Sequence, residues 1–111
     1  MVVPIGSRDQ RNELRINSDL PATISVGSQL TIQGHLKDLS LKSAFITIKH
    51  SVFLETNEQI GFSIQCSLKH PNSLIEGLAR ISRIVPGEGL AIYFTDMNTA
   101  SELRLKKLLN S

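Results

Sequence analysis

Between residues 60 and 68 apolar and polar side chains alternate without a break, with Ile60, Phe62, Ile64, Cys66 and Leu68 on one parity and Gly61, Ser63, Gln65 and Ser67 on the other. Strict alternation over such a span is the signature of a strand with one face against a core, and it is incompatible with the 3.6-residue period of a helix. Shorter runs of the same kind surround it. Ala22 to Val26 and Leu30 to Leu36 flank a Gly27-Ser28 turn, and Ala44 to Lys49 places Ala44, Ile46 and Ile48 on one face with Phe45 on the other. Leu74 to Val85 is a long run interrupted by Gly77, after which Pro86, Gly87 and Gly89 supply hairpin chemistry leading into Leu90 to Phe94. The spacing therefore predicts six strands between about residues 20 and 95, joined by turns too short for an intervening helix, so they pair antiparallel. Six short strands protect their edges best by closing into a barrel. Gly34 shares the parity of Leu30, Ile32 and Leu36, where a missing side chain indicates a bulge or a tight barrel corner.

The two ends of the chain read differently. From Met1 to Asp19 the sequence is polar and aperiodic, and Pro21 restricts the backbone of Leu20, so residues 1–18 are expected to form a flexible arm and residues 19–111 a single domain. At the other end the period changes to that of a helix. Thr99 and Glu102 have the spacing of a capping box, Leu105, Leu108 and Leu109 share one stripe with Leu103 off it, and Arg104, Lys106 and Lys107 suit the negative end of the helix dipole. The expected fold is all-β with one helix, a six-stranded antiparallel β-barrel closed by a C-terminal α-helix.

Leu, Ile, Val and Phe make up 36 of the 111 residues, enough to bury a core, and at 111 residues there is room for one domain. Aromatics are 5% with no Trp, so the core is built of branched aliphatics, which suit pleated surfaces. The net charge of +2 is too small for sequence-independent binding to duplex nucleic acid, and barrels that bind single strands need more stacking platforms than Tyr93 and four Phe. No nucleic-acid partner is expected. A single cysteine fits a reducing compartment, the opening MVVPIG lacks the features of a signal peptide, and no apolar run is long enough to span a membrane, so a cytoplasmic protein without membrane insertion is expected.

Catalytic signals are weak. The chain has no phosphate-binding loop of the Walker type and no nucleophile elbow, and Cys66 with His70 supplies two potential ligands where a structural zinc needs four. Cys66 reads instead as a small core side chain on the parity of Ile64. Neither an enzyme nor a metal site is expected. Two clusters carry more information: Arg11 and Arg15, four residues apart on the polar arm, and Asp38, Ser40 and Ser43, compressed into the turn between two predicted strands. Guanidinium groups donate in a planar fork to phosphate or to the O6 and N7 acceptors of guanine. A carboxylate accepts from guanine's N–H donors, and a hydroxyl can supplement it. Together these groups match a ligand with guanine bases and closely spaced phosphates, such as a cyclic dinucleotide.

The order of the two clusters resembles the PilZ family, whose members carry R-x-x-x-R in an N-terminal arm and [D/N]-x-S-x-x-G at the first barrel turn. The resemblance extends through Gly77-Leu78-Ala79-Arg80, the strand Gly89 to Phe94 with Thr95-Asp96, and the closing helix, about residues 8 to 110. It implies a six-stranded barrel that binds bacterial cyclic di-GMP between arm and barrel and relays its level to a downstream effector protein, with no other cofactor. Carried over by motif, Arg11 and Arg15 would hold phosphate and guanine, while Asp38 and Ser40 would read a guanine edge. Ser43 stands where the motif has Gly; a Gly-type turn would hold it at positive φ under strain, which Ser43→Gly would relieve. The alternative is a PilZ-like protein-interaction module that no longer binds nucleotide.

Overall fold

The computed structural model describes residues 15–28, 30–48, 54–70 and 72–110. Their seven strands are β1 (Arg15–Asn17), β2 (Pro21–Val26), β3 (Leu30–Ser40), β4 (Ser43–Thr47), β5 (Gln59–Gln65), β6 (Leu74–Val85) and β7 (Gly89–Met97), followed by helix α1 (Thr99–Leu109). All pair antiparallel in the order β1-β3-β2-β5-β6-β7-β4, and β3 also pairs β4, which closes β2 to β7 into a six-stranded barrel. The expected architecture is the one observed. β1 lies outside the ring, added to β3 through Arg15↔Ser40, Ile16↔Leu39 and Asn17↔Asp38. The arm, taken from sequence to run to residue 18, thus ends in a three-residue strand; its first fourteen residues lie outside the described ones.

The barrel interior is aliphatic, as the composition demands. Ile24, Leu36, Leu39, Ile46, Ile64, Ile81 and Ile92 are fully buried, contributed by every strand wall, and each such side chain is worth roughly 1.5–3 kcal/mol of transfer free energy. Phe62 in the core is stacked by the half-buried Phe94 at 4.8 Å between ring centroids. Gly34 is a close approach, not a bulge: a Cβ there would fall on the backbone oxygen of Thr47, so β3 and β4 pass at a distance only glycine allows. Gly87, at φ +79, makes the β6–β7 hairpin turn, with the Glu88 amide donating to the Val85 carbonyl at 2.9 Å.

Two expectations shift at element ends. The alternation through Cys66 and Leu68 predicts a strand to residue 68, yet β5 stops at Gln65. Ser67 accounts for this, since its hydroxyl accepts from the Lys69 amide and its carbonyl from His70, a local turn that competes with the ladder. Leu68 is left exposed, and Cys66 is half-buried at the core's rim, not enclosed in it. At the helix, the N-cap is Asn98 and not Thr99: its side-chain oxygen accepts from the Ser101 amide at 2.8 Å, satisfying a donor of the first turn. Asn98 has extended backbone angles suited to a cap, whereas Thr99 is already helical.

The predicted stripe does dock. Leu105 and Leu109 are buried, Leu108 packs beside them, and Leu103 stands exposed. Ser101 is buried as well, its hydroxyl accepting from the Glu76 amide at 3.1 Å, just before the β6–β7 pairing begins at Gly77↔Met97. Arg104 donates to the Leu74 carbonyl at 2.8 Å. Among the described residues no helix is long and apolar enough to cross a membrane.

Candidate functional site

Asp38 reaches the surface through an irregularity in β3. Ile32, Gly34 and Leu36 set an even core parity, so a regular strand would drive the Asp38 carboxylate into the aliphatic interior, where an unpaired charge is prohibitively costly. The register against β4 prevents this. Leu36 pairs Ile46 but Asp38 pairs Phe45, so Lys37 is an extra residue. The bulge turns Lys37 and Asp38 outward together and returns Leu39 to the core. The Lys37 carbonyl accepts from the Ser18 amide at 3.0 Å, continuing the β1–β3 register, so the bulge is held from the arm side.

Arg15 meets Asp38 there. Its guanidinium Nη1 donates to Asp38 Oδ1 at 3.2 Å, with the two side chains 56% and 32% exposed. A pair this wet contributes about 0–1 kcal/mol to stability. Its consequence is positional: β1 delivers an arginine to the carboxylate that the bulge has turned out.

Ser40 and Ser43 lie beside this pair with different tasks. Ser40 is fully buried, and its Oγ accepts from the Ser43 amide at 3.2 Å and lies 3.0 Å from Ser43 Oγ. It closes the two-residue loop Leu41-Lys42 and is not among the groove-lining residues. Ser43 is already strand, paired with Tyr93. The expectation of a positive φ at Ser43 is overturned: among the described non-glycine residues only Asn57 has one. The chain reverses across Leu41 and Lys42 with ordinary φ, helped by the Phe94 amide donating to the Lys42 carbonyl at 2.9 Å, so Ser43 carries no left-handed strain. Arg11 lies outside the described residues.

A groove of about 440 Å³ joins these elements across the outer barrel wall, edged by Arg15, Asp38, Ser43 and Phe45 on one side and Ser82 and Arg83 on the other, over a floor that includes Ala44 and Ala91. Its volume falls in the range of small-molecule sites. A larger cleft of about 730 Å³ between β2, β3 and β4 is lined by no Arg, Lys, Asp or Glu, so charge chemistry favours the smaller groove. Lys37 Nζ stands 5.9 Å from the Phe45 ring centroid, adding a cation near its rim. Among the described residues no group of three or more His, Cys, Asp or Glu is placed to hold a metal. Sequence reasoning missed Phe45, two residues beyond Ser43 on β4, and Ser82 and Arg83, which come from β6, distant from both motifs.

The model of the PilZ domain matches residues 9–111, which includes β1, the bulged turn and the helix. The chain belongs to the PilZ family. Comparison with curated proteins gives no match. Solved structures share the fold at low identity. Bacillus subtilis inhibitor of motility (MotI/DgrA) matches at 14% identity and TM-score 0.73, over 92% of this PilZ chain and 52% of that one, so this chain spans about half its length. The PilZ domain of CeSA from a cellulose-synthesizing bacterium matches at 21% identity and TM-score 0.65, covering 86% of this chain and 94% of that. The PilZ domain of Escherichia coli YcgR, solved with c-di-GMP, matches at 14% identity and TM-score 0.72, covering 91% and 89%. The PilZ barrel thus accommodates substantial sequence divergence while keeping its topology.

Proposed function

We propose that this PilZ chain is a non-catalytic, cytoplasmic receptor for cyclic di-GMP, binding it in the groove between the arm and the outer barrel wall. The observation that carries the reading is the Arg15–Asp38 pair at the groove's edge, which presents a planar donor and a carboxylate acceptor side by side. Family membership supports it, as does a related PilZ domain solved with c-di-GMP. Arg15, joined by Arg11 from the arm, holds phosphate and the acceptor edge of guanine. Asp38 accepts from the N–H donors of a guanine, Ser43 borders the ligand, and Ser40 acts by fixing the turn that carries both.

Binding engages the arm through its arginines and changes the surface offered to a downstream effector protein, a population shift that needs differential contacts in the bound state. Calorimetric titration with cyclic di-GMP, with cyclic di-AMP and GMP as controls, tests the reading. Saturable binding of cyclic di-GMP alone is expected. Heat indistinguishable from dilution with all three would replace the receptor with a protein-interaction module.

A further inference from the structure

The β6 wall of the groove repeats the device that aims Asp38. Core parity on β6 is odd, with Ile75, Ala79 and Ile81 buried, so an uninterrupted strand would send Arg83 inward. The register against β7 skips a residue: Ile81 pairs Ile92, but Arg83 pairs Ala91, leaving Ser82 unopposed. Ser82 and Arg83 both face outward as a result, and Ile84 packs back against the core. The Ser82 hydroxyl donates to the Ala91 carbonyl at 3.1 Å and pins the bulge in place. Bulges interrupt a ladder and concentrate where a side chain must be re-aimed.

Two bulges on opposite walls therefore turn two charged side chains out of core parity and into one groove. Their positions also match across the sheet. The pairings Asp38↔Phe45, Phe45↔Ala91 and Ala91↔Arg83 place Asp38 and Arg83 at the ends of a single cross-strand row. With neighbouring strands about 4.8 Å apart, the row spans about 14 Å along the curved wall. Ala91 leaves a depression between the two ends.

We propose that Arg83 is a third guanidinium contact of the site, gripping the acceptor edge of the guanine that Asp38 does not hold. The inference rests on the cyclic di-GMP reading. That ligand carries two identical bases, and a single carboxylate can serve the donor edge of only one. The O6 and N7 acceptors of the other suit a planar fork, while adenine offers an N–H donor beside N7 at the same place. Arg83 thereby contributes to the choice of guanine over adenine as well as to affinity.

The test measures dissociation constants of cyclic di-GMP and cyclic di-AMP for the parent chain, Arg83→Ala, Arg83→Lys and, as a control on the helix, Lys107→Ala. Thermal unfolding of each variant shows that the barrel is intact. Arg83→Ala should weaken cyclic di-GMP about tenfold to a hundredfold and narrow its advantage over cyclic di-AMP. Arg83→Lys should recover little of this, because an ammonium lacks the fork, and Lys107→Ala should bind like the parent. Parent-like affinity in Arg83→Ala overturns the inference and leaves the receptor reading standing, and full recovery in Arg83→Lys overturns the base contact. A parent chain that binds neither nucleotide overturns both readings.

Discussion

Arg15 on β1 and Asp38 on β3 are joined across the sheet at 3.2 Å, although 23 residues separate them in the chain. The contact exists because a bulge at Lys37 and the three-residue pairing of β1 bring an arm residue and a turn residue to one edge of the groove. Because the pair is partly exposed, its loss is expected to affect binding far more than folding. Arg15→Ala should weaken cyclic di-GMP by roughly 2–5 kcal/mol, the usual cost of stripping one partner from a desolvated charge contact, while changing unfolding free energy by less than about 1 kcal/mol. Calorimetry and urea unfolding on the same preparation would separate the two quantities. A large stability loss with unchanged affinity would make Arg15 a structural residue.

Asp38→Asn keeps the shape of the side chain and removes the charge. One amide oxygen can still accept a hydrogen bond, but its NH₂ group meets the N–H donors of guanine with another donor. Affinity for cyclic di-GMP should fall, and its advantage over cyclic di-AMP should shrink by about 1–3 kcal/mol. Competition between the two nucleotides, followed through a fluorescent cyclic di-GMP analogue, would read the ratio directly.

The loop between β3 and β4 offers a contrast between neighbouring serines. Ser40→Ala leaves the Ser43 amide without its hydroxyl acceptor in a partly buried turn, and about 1 kcal/mol of stability should be lost on denaturant unfolding. Ser43→Gly should not raise affinity, because the residue sits in an ordinary strand conformation with no strain to release. It removes a hydroxyl 3.0 Å from Ser40 Oγ at the groove wall, and a several-fold weaker titration is the expected result. Tighter binding by Ser43→Gly would show that the turn changes conformation when ligand enters.

Gly34→Ala should be among the most damaging single-methyl changes in the barrel. Its Cβ would overlap the Thr47 carbonyl oxygen, which belongs to the backbone and cannot move without separating β3 from β4. The seam that would open is the one carrying Asp38. Loss of cooperative unfolding, or recovery of the variant only in insoluble form, is expected; a melting temperature within a few degrees of the parent would contradict the packing described.

The barrel was legible in the sequence because period-two alternation survives through most of each barrel strand, interrupted locally at the bulges of β3 and β6, and the turns carry glycine, proline and serine at their ends. Asn98 stands outside any box pattern, yet as a lone asparagine it satisfies a donor that the first turn of the helix leaves open. The bulges were harder to see. Their trace is nonetheless present: Asp38 and Arg83 each fall on a core parity, and each is followed at once by an aliphatic, Leu39 or Ile84, that resumes the core on the opposite parity. A charge where a strand should bury a side chain, followed by a shifted aliphatic, marks an inserted residue. Arg83 carries no local signal of this role, because it lies forty residues beyond Ser43 and reaches the site only through the pairing of β7 with both β4 and β6.

The brief pairing of β1 also separates what is fixed at the groove's edge from what can turn. With Ile16 opposite Leu39 and Asn17 opposite Asp38, the backbone of Arg15 is held across from Ser40 by the sheet itself. The partly exposed guanidinium can therefore exchange one acceptor for another by side-chain rotation alone, without any rearrangement of the strands that carry it.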